Sequence, residues 1–507
     1  MLEFGFSYIG VLWLLMLFVP NILWAKRKPS GYEKYASNEN KVLGIFERIG
    51  EVLTTILAVC FKGNNVRIGS VWLIWLVLSF VFMIIYEIYW IRYFRSSRTM
   101  ADMYSSCLGV PVAGATCPVL AFFLLGIYGS NILLIVSSVI LGIGHIGIHL
   151  GHRKEAVGKN ERIPLGKKIL AILCVLLLLP IIVCISIRNF LWVTDPATIR
   201  ESLYVDIGGQ SQYLLIRGTS ADNPVILYLH GGPGSPDACM SPVFTDYLID
   251  DYTVVCWDQR GCGRTYLANS DTSNSTVSFD TAMTDLGEVI SYLQERYGQD
   301  KIILMGHSYG SVLGATYTYE HPEDIEAFIG IGQFVNWKAS SIAEYEEAYK
   351  RAAAAGDETV DMTYQYIDIV ENDSFLSSME LSRYTGKYLT AEHSGNTIVH
   401  ALISPYMDSD DFMWTTHILS YESFMEYEGP LMDYLNSIDL REDIPSFEVP
   451  VLFISGGCDY NCTYTVAEEY ARSCGAEMYI IEGADHYCHA ACPEEFSCAV
   501  KDFLSQE

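Results

Sequence analysis

The 507 residues carry 32 Lys and Arg against 60 Asp and Glu, for a formal net charge of −28. A chain of this length exceeds one ordinary domain, and its acidity argues against nucleic acid as a partner while favouring cationic over anionic substrates. The charge is unevenly spread: residues 1–194 hold 18 basic and 9 acidic residues, whereas the remainder holds 14 basic and 51 acidic.

The basic part, rich in Leu, Ile, Val, Phe and Trp, reads as membrane. Apolar stretches at about 4–24, 42–61, 70–91, 108–127, 131–150 and 168–188 each approach the ~20 residues a helix needs to cross a bilayer. The second has Glu47, Arg48 and Glu51 in its first half, and an interfacial helix is its alternative. Trp13, Trp24, Trp90 and Trp192 fall near span ends, where amphipathic rings prefer to lie. The first span does not read as a signal peptide, because no basic residue precedes it while Lys26, Arg27 and Lys28 follow.

Loop charge orients the spans. Three alternate loops hold 15 basic residues: Lys26, Arg27, Lys28, Lys34, Lys41 and Arg48; then Arg92, Arg95 and Arg98; then Arg153, Lys154, Lys159, Arg162, Lys167 and Lys168. The other loops offer only Lys62 and Arg67. Six spans therefore put both the amino terminus and the acidic domain outside, and removing the second span would split the basic loops between faces. The expectation is a multi-pass integral membrane protein whose acidic domain is extracytoplasmic. Glu87, His145, His149 and His152 are the polar residues of note. His145 and His149 are four apart and share a helix face, a spacing that suits a metal. No carboxylate or cysteine partner is apparent nearby, so interfacial or helix-packing histidines are expected, and the segment reads as an anchor.

In the acidic part, residues 201–207 and 210–217 form a hairpin across Gly208-Gly209. The continuous apolar run 225–229 reads as a strand covered on both faces, and it leads into His230-Gly231-Gly232-Pro233-Gly234. Small residues with free N–H groups at a strand's carboxyl end suit an oxyanion hole. Gly232 N–H is assigned as one donor and Tyr309 N–H as the other, with Gly231 in reserve. A further strand, 253–257, ends in Asp258-Gln259-Arg260-Gly261-Cys262-Gly263-Arg264-Thr265, where Asp258 and Arg260 read as a structural ion pair beside the site. A helix at 281–297 precedes the strand 302–306, which passes through Gly306-His307-Ser308-Tyr309-Gly310 into a helix reaching residue 320. Such a strand–turn–helix holds its serine in a strained conformation with the hydroxyl exposed, and the flanking glycines make room for the turn. Ser308 is the candidate nucleophile.

These three motifs in this order resemble the prolyl-iminopeptidase group of α/β-hydrolases over about residues 200–507, with Thr265 standing where serine is commoner. The resemblance implies a Ser–Asp–His hydrolase with a helical cap that removes an amino-terminal residue, typically proline, from a peptide. The expected architecture is thus an α-helical transmembrane region of six spans followed by an α/β-hydrolase domain with a helical cap. Its divisions are 1–194, a core at 195–335, a cap at 336–445 and the rest of the core at 446–507.

Residues 327–331 form another strand. The segment 336–445 lacks buried-strand runs and holds 21 acidic against 6 basic residues. Glu344, Glu346, Glu347, Glu422 and Glu426 are candidates to bind a substrate's α-ammonium, since a desolvated cation demands a paired carboxylate. The strand 449–455 ends at Gly456-Gly457-Cys458-Asp459, and the strand 478–482 at Gly483-Ala484-Asp485-His486. Asp459 would orient the imidazole and His486 would act as base and then acid; His489 is the alternative base. A helix at 493–504 closes the chain.

Nine of the 14 cysteines lie in the acidic part, a density that outside a membrane suggests disulfides. A bridge from Cys458 or Cys462 to Cys488 or Cys492 would tie two triad loops together; a zinc site of Cys488, His489 and Cys492 is the alternative. The triad chemistry calls for no cofactor and no metal. Its partners would be a short peptide or other small amide or ester, and the bilayer. The competing functions are a carboxylesterase or lipase-like hydrolase of the same fold, and a non-catalytic sensor or transport-linked membrane protein.

Overall fold

The computed structural model describes residues 2–506 except 69, 158–164, 270–276, 358–381 and 384. Lys159 and Arg162 of the third basic loop, and part of the expected cap, fall outside the described residues. The chain divides into two compact units, Met1–Asp195 and Pro196–Glu507.

The first unit is helical, with long helices at Tyr8–Ala25, Lys41–Val59, Leu73–Arg95, Ala113–Tyr128, Ile132–Val157 and Leu165–Thr194. Among the described residues, four segments are long and apolar enough to cross a membrane: Tyr8–Ala25, Leu73–Arg95, Ile132–Val157 and Ile172–Thr194. Two of the six expected spans do not meet that standard. Ala113–Tyr128 has 16 residues, about 24 Å of helix against a ~30 Å hydrocarbon core. Lys41–Val59 carries Glu47, Arg48 and Glu51.

The charges on the Lys41–Val59 helix have a local reason. A Cβ on Gly50 would lie 2.4 Å from the Leu141 Cα, and one on Gly144 would lie 2.2 Å from the Glu47 nitrogen. Glycine at both places lets this helix and Ile132–Val157 touch backbone to backbone. Thr54 donates to Ser137 Oγ at 3.1 Å along the same seam. The close approach sets Glu47 Oε1 2.5 Å from His145 Nδ1, correcting the expectation that the histidines lack a carboxylate partner. The partner was hidden because it comes from a different helix.

The second unit is built on one eight-stranded sheet. Its strands are β1 (Ile199–Ile207), β2 (Gln210–Gly218), β3 (Val225–Leu229), β4 (Thr253–Asp258), β5 (Ile302–His307), β6 (Ile325–Ile331), β7 (Val451–Gly456) and β8 (Glu477–Ile481). They lie in the order β1-β2-β4-β3-β5-β6-β7-β8. The hairpin β1–β2 is antiparallel, as is β2–β4, and every pair from β4 to β8 is parallel. Every residue of β3, β4, β5 and β7 is buried. This is why their sequences are continuous apolar runs rather than alternating ones. The helices Phe279–Tyr297, Tyr309–Glu320 and Tyr464–Cys474 join successive strands, and Pro493–Leu504 follows β8. One continuous apolar core links Leu227, Leu304, Phe328 and Phe453 of the sheet with Leu286, Val312 and Tyr470 of these helices.

Between β6 and β7 the chain forms helices Trp337–Ala354, Thr397–Ile403, Ser409–Ile418 and Tyr421–Ser437. Buried polar contacts dock this excursion on the core. Arg264 Nη2 donates to Asp411 Oδ2 at 2.6 Å and to the Tyr406 carbonyl at 2.7 Å. Trp414 Nε1 donates to the Gly234 carbonyl at 3.0 Å.

Two further expectations are corrected. Asp258 and Arg260 do not pair. Arg260 grips Asp285 in a two-pronged contact, Nε to Oδ2 at 2.7 Å and Nη2 to Oδ1 at 2.9 Å, so its partner comes from the helix over the sheet. Asp258 instead accepts from Arg264 N–H at 2.9 Å and tightens its own loop. The bridge between the 458–462 and 488–492 segments is not formed, and all fourteen cysteines are free. Cys462 Sγ is directed at Ser308 Oγ, 4.0 Å away, and Cys488 is sealed inside at the start of the Cys488–Ala491 helix.

Candidate active site

Ser308 occupies the single residue between β5 and the Tyr309–Glu320 helix, with φ 54° and ψ −118°. An L-residue adopts that conformation only under strain. The surroundings impose it: Ser308 N–H donates to the Ile331 carbonyl of β6 at 2.9 Å. The flanking glycines are required for contact rather than for torsion. A Cβ on Gly306 would meet the Gly310 carbonyl oxygen at 2.2 Å, and one on Gly310 would meet the Leu229 oxygen at 2.3 Å.

Asp459 follows β7 and His486 follows β8. His486 Nδ1 lies 2.8 Å from Asp459 Oδ2, while Asp459 Oδ1 accepts from the N–H groups of Asn461 and Cys462, each at 3.0 Å. Asp459 is wholly buried. Nδ1 therefore carries the proton and Nε2 is left as the acceptor. Burial opposes a charge on His486, but the Asp459 carboxylate outweighs it and holds the imidazole above the ordinary histidine pKa. Asp485, adjacent in sequence, turns away and accepts from Gly395 and Tyr487 N–H.

Ser308 and His486 line one cavity of about 480 Å³, together with Gly232, Trp337, Glu344 and Tyr487. The Ser308 hydroxyl is directed at Cys462 rather than hydrogen-bonded to His486. Gly232 opens onto the same cavity at φ 117°. Tyr309 is the first residue of its helix, where N–H groups have no intrahelical acceptor. Gly231, the reserve donor, packs on the serine itself: a Cβ there would lie 3.0 Å from Ser308 Cβ.

The cap acids sort themselves by position. Glu344 is buried, lines the cavity, and accepts from the Ser382 and Thr385 hydroxyls. Burial pushes its carboxyl up to about 7, against the lowering effect of those hydroxyls. Glu346, Glu422 and Glu426 lie outside the buried set, and Glu347 is taken by Arg351 and Lys350. Sequence reading passed over Glu428, which is fully buried with Oε1 lacking a hydrogen-bond partner among the described residues; burial holds it protonated up to about 8.

Two more residues escaped the sequence. At Gly332 (φ 51°) a Cβ would come within 3.0 Å of Asp459 Oδ2 and 3.1 Å of His486 Nδ1. His307 Nε2 donates to the His486 carbonyl at 3.1 Å, and burial, with the neighbouring histidines, keeps its ring neutral. His307, inside the Gly306–Gly310 motif, offered a signal; Gly332 offered only its place at the end of β6. His489, the alternative base, is wholly buried and held down to about 3 by burial and by His486. It comes together with Asp237 and His307, not with Cys488 and Cys492 as the zinc alternative required. Asp237 is already bound by Tyr228 OH at 2.7 Å.

Thr265 performs with its hydroxyl what a serine there would. It donates to the Asp258 carbonyl at 2.5 Å and accepts from Tyr213 N–H at 2.9 Å. His230 knits the two glycine-rich loops together. Its Nδ1 donates to the Gly231 carbonyl at 2.8 Å and its Nε2 accepts from Gln259 N–H at 3.3 Å.

A mostly parallel sheet in this strand order, with its cavity at the carboxyl ends of the strands, defines a protein of the α/β class that hosts hydrolases. The family model described as alpha/beta hydrolase fold matches residues 224–490, and the chain belongs to that family. A probable aminopeptidase of Bacillus subtilis (strain 168), YbaC, is 24% identical over 303 residues, 58% of this chain and 92% of the relative. A proline iminopeptidase of Lactobacillus acidophilus is 23% identical over 308 residues, 59% of this chain and 95% of that protein. Among solved structures, a proline iminopeptidase-related protein of Thermus thermophilus is 21% identical, with a TM-score of 0.41, covering 61% of this chain and 98% of that one.

Proposed function

We propose that the protein is a membrane-anchored serine hydrolase that releases amino-terminal residues from short peptides. The observation carrying this reading is His486, paired with the buried Asp459, opening onto the same cavity as a strained serine. In the proposed reaction Ser308 Oγ attacks the scissile carbonyl carbon as its proton passes to His486 Nε2. The N–H groups of Gly232 and Tyr309 donate to the developing oxyanion, each such donor being worth about 2.7–4 kcal/mol in the transition state. His486 then returns the proton to the leaving amine, and water releases the acyl group by the same relay. Glu344, the buried carboxyl in the cavity, pairs with the substrate's α-ammonium. The relatives' names, aminopeptidase and proline iminopeptidase, support an amide substrate.

The anchor is proposed to cross the bilayer six times, with the hydrolase unit on the extracytoplasmic side. The 15-to-2 distribution of basic residues between alternate loops supports this. The functional test assays the purified full chain on proline, alanine and leucine arylamides beside short-chain esters, with Ser308→Ala as control. Arylamide cleavage that disappears in the variant supports the reading. Ester turnover alone would make the protein an esterase, and unchanged chemistry in Ser308→Ala would leave the hydrolase unit a binding module.

A further inference from the structure

In the helical unit, one ligand atom each from Glu47, His145 and His149 lies within 4.8 Å of the other two. We propose that these three side chains form a binding site for a divalent transition-metal cation of the zinc class, independent of the hydrolase chemistry. Two histidines and one carboxylate suit such a cation, with metal–ligand distances of about 2.0–2.2 Å and a fourth position left for water or a ligand.

The site is built by the helices rather than by chance proximity. His145 and His149 are one turn apart on Ile132–Val157, and their ring centroids are 4.5 Å apart. Glu47 reaches them from the facing helix because Gly144 admits its backbone at contact distance. An ion pair between Glu47 and His145 would account for two of the three groups. It does not account for His149, whose ring is set against His145 and Tyr104.

Polar groups surround the trio. Tyr104 OH lies 2.8 Å from His152 Nδ1, and His152 Nε2 lies 3.4 Å from Glu39 Oε1. This extends the row of imidazoles and carboxylates one turn further. On the other side His145 and Glu51 border a largely apolar cavity of about 440 Å³ that also meets Asn21 and Thr54. The cavity thus reaches the trio at His145, and the trio's single carboxylate leaves a divalent ion one positive charge for Glu51 to offset. Ionisable groups placed among membrane-type helices are costly and mark function.

The test uses the full chain in detergent, stripped with a chelator and titrated with Co²⁺ and then Zn²⁺. The expected result is one equivalent of Co²⁺ with visible ligand-field absorption that Zn²⁺ displaces. His149→Ala and Glu47→Gln should each weaken Co²⁺ binding at least tenfold. His149→Cys should bind Co²⁺ with a new sulfur charge-transfer band, which would show that the helices still pack. Absent or non-stoichiometric absorption in the unaltered protein would overturn the site. So would His149→Ala binding as tightly as the parent, or His149→Cys binding without the sulfur band.

Discussion

At the residue scale the proposed chemistry rests on the protonation of two groups in one cavity. Asp459 holds the His486 imidazole above its ordinary value against the opposing effect of burial, so kcat/KM should fall as pH drops and the base becomes protonated, with the fall displaced upward from that of an ordinary histidine. In Asp459→Asn the imidazole loses both tautomer and charge partner, and kcat should drop by about 10⁴-fold. Glu344 binds an ammonium only when ionised, and burial holds its proton to about pH 7. KM for substrates with a free amino group should therefore fall as pH rises through about 7, and Glu344→Gln should flatten that dependence. Measuring KM for free and amino-blocked arylamides on both sides of that pH checks this; equal KM for both throughout would remove Glu344 from recognition. Glycine matters at one further point. Gly332→Ala forces a methyl against the Asp459–His486 bond, and a displacement near ~1 Å should lower kcat by about 100-fold, read from steady-state rates of a variant with unchanged circular dichroism.

At the scale of elements the question is what holds the helical excursion between β6 and β7 on the core. Arg264 joins the short Gly263–Ala268 helix of the core to Asp411 of that excursion, and it is buried there. Arg264→Met strands that carboxylate, and breaking such a pair costs about 3–5 kcal/mol; chemical denaturation should show the loss, and proteolysis should cut first within the cap. Glu428 contributes oppositely with pH. Its carboxyl ionises in the ordinary range when unfolded but only near 8 when folded, so its contribution is whole below the ordinary range and lost as pH rises through about 8. Glu428→Gln never acquires that charge. Its melting temperature relative to the parent should rise between about pH 5 and about pH 9, and a constant difference would contradict the assignment.

At the scale of the whole molecule the legible and the hidden features have separate causes. Ser308, Asp459 and His486 could be singled out as candidates because each lies at or shortly after the carboxyl end of a sheet strand and because motif order survives in one dimension. The strands could be read because burial on both faces removes alternation. The crossing of β3 and β4 in the sheet leaves no trace in composition. Nor do partners from distant elements: Asp285 for Arg260, Asp411 for Arg264, Glu47 for His145. Glu344 could be singled out from its cap neighbours only by burial, which a solvated and a lining acid do not betray in sequence. The helical unit shows the same limit, since among the described residues length and composition support four crossings where loop charge implies six. Single cysteines placed in the loops and probed with impermeant reagent should label Lys62 and Arg67 positions, and leave Lys34 and Arg95 positions unlabelled, if the six-span arrangement holds.

The most direct measurement treats the full chain with a fluorophosphonate and maps the adduct by mass spectrometry. One modified residue is expected, Ser308, with labelling that slows sharply in His486→Ala and activity lost in step with modification. An unmodified Ser308 in a sample that cleaves arylamides, or full activity after its complete modification, would contradict the proposed chemistry.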